Sequence, residues 1–267
     1  MHRANRYFIP GQVWHLTHRC HKKEFLLKFE KDRKVWINWL YEAKKRYGLC
    51  VLNYIVTSNH NHLLVYDTGT KTISNSMQLI AGRTAQQFNL RKNRKGAYWE
   101  DRYHATAVQT GDHLVRCLVY IDLNMVRAGV VSHPSRWQSS GYLELQTPPL
   151  RKRIIDAEKL AELCEIYNVV NFPTFHRQWV EVALRENRLV REAKWSEAVA
   201  VGSKAFVEET QQSLGLRAKA RSCKSTTDGF QLKEEVGEYS AHFDGKNMQL
   251  TQENGHFWNE ISEGSTV

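Results

Sequence analysis

Apolar residues recur with two different spacings along the first 130 residues, and the two spacings alternate. Strand-like apolar composition is found at residues 11–20, 49–58, 62–67 and 104–110. Helix-like spacing is found at residues 32–47, at residues 74–90 and from Asp112 onward. The order βαββαβα predicts a ferredoxin-like α+β fold, in which an antiparallel sheet carries helices on one face.

A change in composition near residue 145 predicts a domain boundary. The stretch "TPPLRKR", residues 147–153, contains two prolines and a basic cluster. We expect a core domain at residues 1–145 and a helical C-terminal extension at residues 146–267. Within the extension, helical spacing is found at residues 157–167, 172–186 and 195–214. The last fifty residues are polar, so we expect them to be ordered only where they dock onto the rest of the chain.

Positive charge is concentrated in the predicted core domain. The 267 residues have a net charge of +10. Residues 1–150 carry 22 Lys and Arg against 10 Asp and Glu, a net charge of +12, and the remainder carries 16 against 18, a net charge of −2. A strongly basic domain beside a near-neutral one indicates a polyanionic partner for the first, and nucleic acid is the general candidate.

The composition gives no sign of a membrane or secreted protein. No run of about 18 apolar residues exists that would cross a membrane. The first residues lack the apolar stretch of a secretory signal. The five cysteines are widely spaced and include no Cys-x-x-Cys pair, which favours reduced thiols over disulfides or a cysteine zinc site. We therefore expect a cytoplasmic protein.

Two histidines lie one residue apart in "NHNHLL", at the start of a predicted strand. Because strand side chains alternate between faces, His60 and His62 point to the same side of the sheet. Two imidazoles at this spacing can bind one metal ion. An isolated pair of this kind is more often a pair of surface hydrogen-bonding groups, so the motif alone leaves both interpretations open.

The predicted helix that begins at Asp112 has one broad apolar face and one narrow polar stripe. The polar stripe contains His113, Arg116, Tyr120, Asn124 and Arg127. Tyr120 and Asn124 lie one turn apart and can face the same cavity. A phenol and an amide flanked by arginines suit attack on a phosphate, but a solvated helix face with an incidental tyrosine has the same pattern. Asp122 lies within the apolar face, and the sequence offers no explanation for it.

Together, the two motifs resemble those of a known enzyme family. "NHNHLL" resembles the His-hydrophobic-His signature of HUH single-strand DNA endonucleases. "YIDLNMVRAGVV" is similar to the tyrosine helix of their single-tyrosine transposase branch, in particular the REP-associated tyrosine transposases. The order of elements also matches, since the histidine strand precedes the tyrosine helix with one helix and one strand between them. The resemblance covers about residues 1–145.

The resemblance implies an enzyme that cleaves and rejoins single-stranded or hairpin DNA at palindromic elements through a 5′-phosphotyrosine intermediate. It makes Tyr120 the nucleophile, His60 and His62 metal ligands, and Asn124 the third ligand. The implied cofactor is a divalent metal, Mg²⁺ or Mn²⁺, and the active unit is a monomer or a homodimer. Rejoining through a covalent link needs no ATP, and the sequence contains no P-loop motif.

The sequence departs from the family pattern at two positions. The residue between the histidines is usually bulky and apolar, and here it is Asn61, which must find polar partners or lie at a sheet edge. The family's Asn-Pro after the tyrosine is Asn124-Met125 here. The alternative function is that of a catalytically inactive, domesticated nucleic-acid-binding regulator with the same fold.

Basic residues in and around the motifs are the predicted DNA contacts. They are Arg3, Arg6, Arg91, Lys92, Arg94, Lys95, Arg116 and Arg127. Tyr98 and Trp99 follow the basic loop and could stack on bases, although we expect Trp99 to belong to the core. His15, His18 and His21 are expected to be structural or to contact DNA rather than to form a second metal site.

Overall fold

The first 145 residues contain the predicted elements in the predicted order. The structure is a computed structural model that describes residues 8–69, 71–218 and 220–234. The strands of this part are β1 (Val13–Arg19), β2 (Cys50–Val56), β3 (His60–Tyr66) and β4 (His104–Val108). The helices are α1 (Glu30–Tyr47), α2 (Thr72–Arg91), α3 (Asp112–Asp122), α4 (Asn124–Arg127) and α5 (Gly141–Gln146). The order βαββαβα and the α+β class are confirmed.

The extension contains strands as well as helices. Its helices are α6 (Ala157–Leu163), α7 (Phe172–Arg185), α8 (Lys194–Glu197) and α9 (Lys204–Leu214). Its strands are β5 (Ala200–Gly202), β6 (Arg221–Thr226) and β7 (Gly229–Glu234). The domain boundary near residue 145 stays a prediction, and residues 235–267 of the predicted tail lie outside the described residues. No helix in the described ranges combines the length and the hydropathy needed to cross a bilayer.

The strands of the two parts join in one sheet. Within the described residues, the seven strands lie in the order β2-β3-β1-β4-β5-β7-β6. The first four strands pair antiparallel, whereas β5 is parallel to β4. Thr17 of β1 lies opposite both His62 of β3 and His104 of β4. Since residues directly opposite each other point to the same side, these histidines and His15 share one face, which we call the histidine face.

Helices cover both faces of the sheet, whereas the sequence predicts them on one face. On the face opposite to the histidines, Trp99 stacks on His18 with ring centroids 4.0 Å apart. The Trp99 indole also donates a hydrogen bond of 3.0 Å to the Ala81 carbonyl in α2, and α1 packs against α2. On the histidine face, α3 brings Tyr120 to within 6.1 Å of His62, measured between ring centroids.

The single helix predicted at residues 195–214 is wrong, because two helices and a strand occupy this segment. Its N-terminal part is α8, and its C-terminal part is α9. Between them, β5 pairs with the outer edge of β4, where the Ala107 and Gln109 amides donate to the Val199 and Val201 carbonyls. Ser203 then caps α9 by accepting a hydrogen bond from the Phe206 amide. The backbone groups of the β4 edge therefore override the helical spacing of the apolar residues.

A β-hairpin, β6–β7, lies in the polar segment that the sequence predicts to be ordered only by docking. Its register pairs Thr226 with Gly229, and β7 in turn pairs antiparallel with β5. The turn residues are Thr227 and Asp228, and Gly229 follows as the first residue of β7, a position after a tight turn where glycine is common. Gly229 has a φ of 145°, a backbone conformation that favours glycine.

Asp122, which the helical pattern leaves unexplained, is a buried link between three elements. Its carboxylate contacts His176 Nε2 of α7 at 2.7 Å and accepts a hydrogen bond of 2.9 Å from the Asn53 amide of β2. The side chains of Asp122 and His176 are both 0% exposed. Removing one partner of such a buried pair leaves an uncompensated polar group, typically at a cost of about 3–5 kcal/mol. Asp122 thus joins α3 to the sheet and to the extension.

Asn61 is expected to have hydrogen-bond partners or to lie at a sheet edge, and in the part of the chain that the structure describes it has neither. It lies in β3, which has β1 and β2 on its two sides, and its exposed fraction is 0%. Both polar atoms of its amide lack a hydrogen-bond partner among the described residues. A buried polar group without partners costs about 1–3 kcal/mol, so Asn61 destabilises the sheet.

We predict that Asn61→Leu raises the free energy of unfolding by about 1–3 kcal/mol, because a side chain of similar size replaces an unpaired buried amide. Asn53→Leu is the matched control, since Asn53 is equally buried but donates to Asp122 and accepts from the Tyr54 amide. That control should lower the free energy of unfolding. Urea unfolding of both variants measures the two changes in the free energy of unfolding, which should have opposite signs. Destabilisation by Asn61→Leu would contradict the prediction.

Candidate active site

The predicted metal ligands and the predicted nucleophile lie in one cleft. The cleft has a volume of about 670 Å³ and lies at the end of the sheet where β1 ends and β3 begins. His60, His62, Tyr120 and Asn124 all line it. The three elements that supply these residues are β3, α3 and α4, and the two helices are connected through Leu123. The predicted single helix therefore ends at Asp122, and the short α4 carries Asn124.

The hydrogen bonds of His60 leave its Nε2 available. Its Nδ1 lies 2.8 Å from the Asn59 side-chain oxygen and 2.9 Å from the Thr57 hydroxyl. The Asn59 oxygen can only accept, so Nδ1 carries the proton of the neutral ring and donates it. The second ring nitrogen, Nε2, then has a free lone pair on a residue that lines the cleft.

His62 is held between a second histidine and the predicted third ligand. Its Nε2 accepts a hydrogen bond of 2.9 Å from the Asn124 amide nitrogen. Its Nδ1 lies 2.9 Å from Nε2 of His15, and the two rings stack with centroids 5.0 Å apart. In the neutral ring, these contacts require the proton on Nδ1 and the lone pair on Nε2. His15 therefore fixes both the ring orientation and the tautomer of His62.

Burial keeps the histidines of the cleft uncharged at neutral pH. Burial lowers the pKa of His60 to about 4, and the nearby charges of Arg19 and Arg127 act in the same direction. Burial lowers the pKa of His62 well below its usual value, with a further contribution from His60. Burial also lowers the pKa of His15 to about 3. A neutral imidazole is the form that binds a metal ion.

Tyr120 is surrounded by aromatic rings and one cation. Its exposed fraction is 6%, and its ring centroid lies 6.5 Å from that of His15 and 6.1 Å from that of Trp195. The Arg127 guanidinium lies over the ring at 4.0 Å and donates a hydrogen bond of 3.0 Å to the Tyr120 carbonyl. Burial raises the pKa of Tyr120, and the charges of Arg127 and Arg191 oppose that rise.

Arginines from three parts of the chain surround the histidines and the tyrosine. Arg19 comes from the end of β1, Arg127 from α4 and Arg191 from the loop between α7 and α8. Arg102 also lines the cleft. The acidic residues that line the cleft are Glu100, Asp101 and Glu197. Arg191 lies 3.6 Å from Glu197, and its side chain is 64% exposed. The cleft can therefore hold an anion beside Tyr120.

Arg91, Lys92, Arg94, Lys95 and Arg116, which the sequence predicts as DNA contacts, do not line this cleft. Arg91 forms an ion pair with the buried Asp32, and Arg94 pairs with Glu24 at 3.4 Å. Lys92 and Lys95 are exposed in the same loop. Arg116 pairs with Asp228 at 3.7 Å, one turn of α3 before Tyr120. Arg3 and Arg6 lie outside the described residues. The prediction that the eight basic residues contact DNA stays untested; of the six that lie in the described residues, Arg127 alone lines the cleft.

The two aromatic residues after the basic loop are core residues. Tyr98 has an exposed fraction of 2%, so its predicted stacking on bases is wrong. Trp99 is half-buried against His18, as the core interpretation predicts. Desolvation of both rings in the folded state stabilises the face of the sheet that α2 covers.

Three residues close to His62 and Tyr120 have no place in the site that the sequence predicts: Arg191 lines the cleft, whereas His15 and Trp195 lie behind it. For His15, a signal exists: polar residues recur at His15, Thr17 and Arg19 along one face of an otherwise apolar strand. For Arg191 and Trp195, no local signal exists, because they approach Tyr120 only when β5 pairs with β4. The Ala198 carbonyl, just before β5, accepts hydrogen bonds from Thr106 Oγ1 at 2.7 Å and from His104 Nε2 at 2.8 Å, and these bonds stabilise the pairing of β5 with β4.

The donors of the cleft are two imidazoles and an amide rather than a cluster of ionisable ligands. Among the described residues, no group of three or more His, Cys, Asp or Glu has the arrangement of a metal site. An Asn as third ligand is compatible with that finding, because an amide oxygen is a ligand for hard divalent cations. His60 and His62 each have an Nε2 lone pair, which fits a divalent cation.

Comparisons with known proteins find similarity in the part of the chain that carries this site. Residues 11–124 match the family model described as "Transposase IS200 like". No curated protein matches the chain. One similar solved structure is a REP-associated tyrosine transposase bound to a REP hairpin, with 22% identity, a TM-score of 0.43, and coverage of 51% of this chain and 79% of that chain.

A second similar structure is a putative transposase from Deinococcus radiodurans R1, with 17% identity and a TM-score of 0.31. It covers 38% of this chain and 81% of that chain. The match to the family model spans both histidines, the tyrosine and the asparagine of the cleft, and it covers less than half of the chain. Over residues 11–124, the chain is therefore similar to the IS200-like transposases.

Proposed function

We propose that the protein is a metal-dependent tyrosine transposase of the REP-associated type, which cleaves and rejoins single-stranded DNA at hairpin elements. The observation that carries the proposal is the position of Tyr120, whose ring lies 6.1 Å from that of His62 in a cleft also lined by His60 and Asn124. A phenol beside two neutral imidazoles and several arginines suits the formation of a 5′-phosphotyrosine link.

The residues present fit a bound Mg²⁺ or Mn²⁺. His60 and His62 would hold it through their Nε2 lone pairs, and Asn124 would offer its amide oxygen in place of its present hydrogen bond to His62. His15 acts behind the ligands, because it accepts a hydrogen bond from Nδ1–H of His62 and so keeps the lone pair of that ring on Nε2. When bound, the cation supplies charge that polarises the scissile phosphate.

Tyr120 forms the covalent bond in this proposal. Its Oη attacks phosphorus, the bond between phosphorus and the 3′ oxygen breaks, and the 3′ oxygen leaves as a hydroxyl after taking a proton from solvent. The phenol proton passes to water in the cleft. The Arg127 guanidinium, 4.0 Å from the ring, stabilises the phenolate that burial disfavours. Reversal of the same steps rejoins the strand without ATP.

The arginines of the cleft hold the phosphate that Tyr120 attacks. Arg19 and Arg191 approach the cleft from the first domain and from the extension, so the phosphate is contacted from two sides. Neither residue reacts; each positions an anion and offsets its charge as the transition state forms. A similar solved structure is bound to a REP hairpin, and a hairpin is the substrate that we propose for this chain.

The first prediction is that Tyr120→Phe abolishes covalent adduct formation, because it removes only the attacking hydroxyl. Purified protein is incubated with Mn²⁺ and a labelled hairpin oligonucleotide, and adducts are counted on a denaturing gel. Tyr66→Phe is the matched control, since Tyr66 lies on β3 but does not line the cleft. Tight DNA binding by the unmodified protein without any adduct would contradict the proposal and favour the inactive regulator.

A second prediction tests the metal through His15. His15→Leu keeps the volume but removes the acceptor of His62 Nδ1, so we expect the affinity for Mn²⁺ to fall by about 10- to 100-fold. Isothermal titration calorimetry measures the affinity, and His15→Gln should retain part of it. His18→Leu is the control, because His18 is also buried beside the cleft but stacks on Trp99 and contacts the Asp101 carbonyl instead of His62. Unchanged affinity in His15→Leu would argue against the proposed ligand arrangement.

A third prediction concerns the arginine that the extension supplies. Arg191→Ala should lower adduct yield and reduce the salt dependence of hairpin binding by about one phosphate contact. Arg188→Ala is a closely matched control, since Arg188 lies three residues earlier, has an exposure of 62% and pairs with Glu186 instead. If both variants behave alike in anisotropy titrations at several salt concentrations, Arg191 does not contact the phosphate.

A further inference from the structure

A group of exposed aromatic and basic residues lies outside the cleft. We call it the lysine–phenylalanine patch, and it consists of Phe25, Phe29, Lys28, Lys31 and Lys92. Phe25 is 65% exposed and Phe29 is 53% exposed, although most of the chain's aromatic rings in the described residues are more deeply buried. Large exposed aromatic rings at one place on a surface commonly mark a binding site.

Lysines from two separate segments converge on one ring of the patch. Lys28 and Lys31 flank Phe29 at the start of α1, and Lys92 comes from the loop after α2. The ammonium groups of all three lie 5.9 Å from the centroid of the Phe29 ring. The Phe29 ring is therefore surrounded by three ammonium groups, which come from the start of α1 and from the loop after α2.

The acidic residues close to the patch are already used in ion pairs. Glu30 pairs with Lys34 at 2.7 Å, and Glu24 pairs with Arg94 at 3.4 Å. The buried Asp32 pairs with Arg91. These arginines fix the loop after α2 against α1. The lysines of the patch have no ion pair with an acidic residue among the described residues, so their charge is available to an anionic partner.

The patch is connected to the cleft through the turn between β2 and β3. The Leu27 amide donates to the Ser58 carbonyl at 2.9 Å, and the Asn59 amide nitrogen donates to the Lys23 carbonyl at 3.1 Å. The side-chain oxygen of the same Asn59 accepts from His60 Nδ1. The segment that carries Phe25 and Phe29 thus begins beside a proposed metal ligand and leads to the side of the sheet that α1 and α2 cover.

We propose that the lysine–phenylalanine patch binds the single-stranded DNA that continues beyond the catalytic cleft, by stacking bases on Phe25 and Phe29 and pairing phosphates with the lysines. The inference rests on the proposed function, since it extends the same substrate along the surface. Stacking needs unpaired bases, which indicates single-stranded rather than duplex DNA. A second copy of this chain is a poor occupant, because it would bring a like net charge of +10 to a positive surface.

The experiment measures the affinity for a labelled oligothymidine in metal-free buffer. Its length is about 16 nucleotides, the largest number that one OB fold typically covers on a single strand. Phe29→Ala should weaken the affinity by about 5- to 150-fold, the effect of losing one stacked base. Phe29→Tyr should restore it. Tyr167→Ala is the control, because Tyr167 is a fully exposed aromatic residue of the extension.

Charge is tested separately from stacking. A combined variant with Lys28→Gln, Lys31→Gln and Lys92→Gln should lower the slope of log affinity against log salt by about 2, since each phosphate contact on a single strand contributes about 0.7. All these side chains are exposed, so circular dichroism should show an intact fold. The inference is overturned if Phe29→Ala and the combined variant bind oligothymidine as the unmodified protein does.

Failure of this inference can be told apart from failure of the proposed function. Binding in metal-free buffer requires no cleavage, whereas the covalent adduct requires Tyr120. If Phe29→Ala weakens binding but the unmodified protein forms no adduct, the patch stands and the transposase chemistry fails. If adducts form with equal yield and DNA affinity is unaffected by Phe29→Ala, the chemistry stands and the patch fails.

Discussion

The antiparallel register between β1 and β3 is the constraint on which the proposed chemistry depends. It places Thr17 opposite His62 and Arg19 opposite His60, and thereby brings His15 to the Nδ1 side of His62. A slip of one residue would turn both imidazoles to the opposite face of the sheet. The register is held by burial, because Leu63 and Val65 alternate with the histidines and fill the core on that other face.

Burial also sets the protonation state of the cleft, and its effects on the two kinds of group are opposed. It lowers the pKa of His60 and His62, which keeps both rings neutral and able to bind a cation. The same burial raises the pKa of Tyr120 and so makes its phenolate harder to form. Arg127 lies directly over the tyrosine ring and favours the phenolate. Arg127 therefore counteracts, at the proposed nucleophile, the same burial that keeps the proposed metal ligands neutral.

The extension is part of the cleft, although its charge and composition differ from those of the first domain. Parallel pairing of β5 with β4 positions Trp195 against Tyr120 and Arg191 at the cleft wall. The start of α1 and the loop after α2 carry the lysine–phenylalanine patch, a second basic surface. In the proposed function, a single strand of DNA would meet positive charge both in the cleft and at this patch, which suits a substrate held along its length.

The sequence determined the parts of the protein that depend on local periodicity. Apolar spacing predicted βαββαβα, the i, i+2 histidines predicted a shared face, and the helical stripe predicted that Tyr120 and Asn124 meet. Local periodicity gave no correct prediction where a distant segment supplies the hydrogen-bond partners. The helical spacing of residues 195–214 gave way to strand pairing at the open edge of β4, and Asp122 acquired its role only from Asn53 and His176.

Only the tertiary structure decided which basic residues surround the tyrosine. The sequence predicts Arg91 and Arg94 as DNA contacts, and folding brings each of them to a carboxylate, of Asp32 and of Glu24. No sequence pattern around Arg191 predicts a role in the site, but the pairing of β5 with β4 places it in the cleft. The physical reason is the same in each case: side-chain periodicity is set by neighbours in the chain, whereas ion pairing and edge pairing are set by neighbours in space.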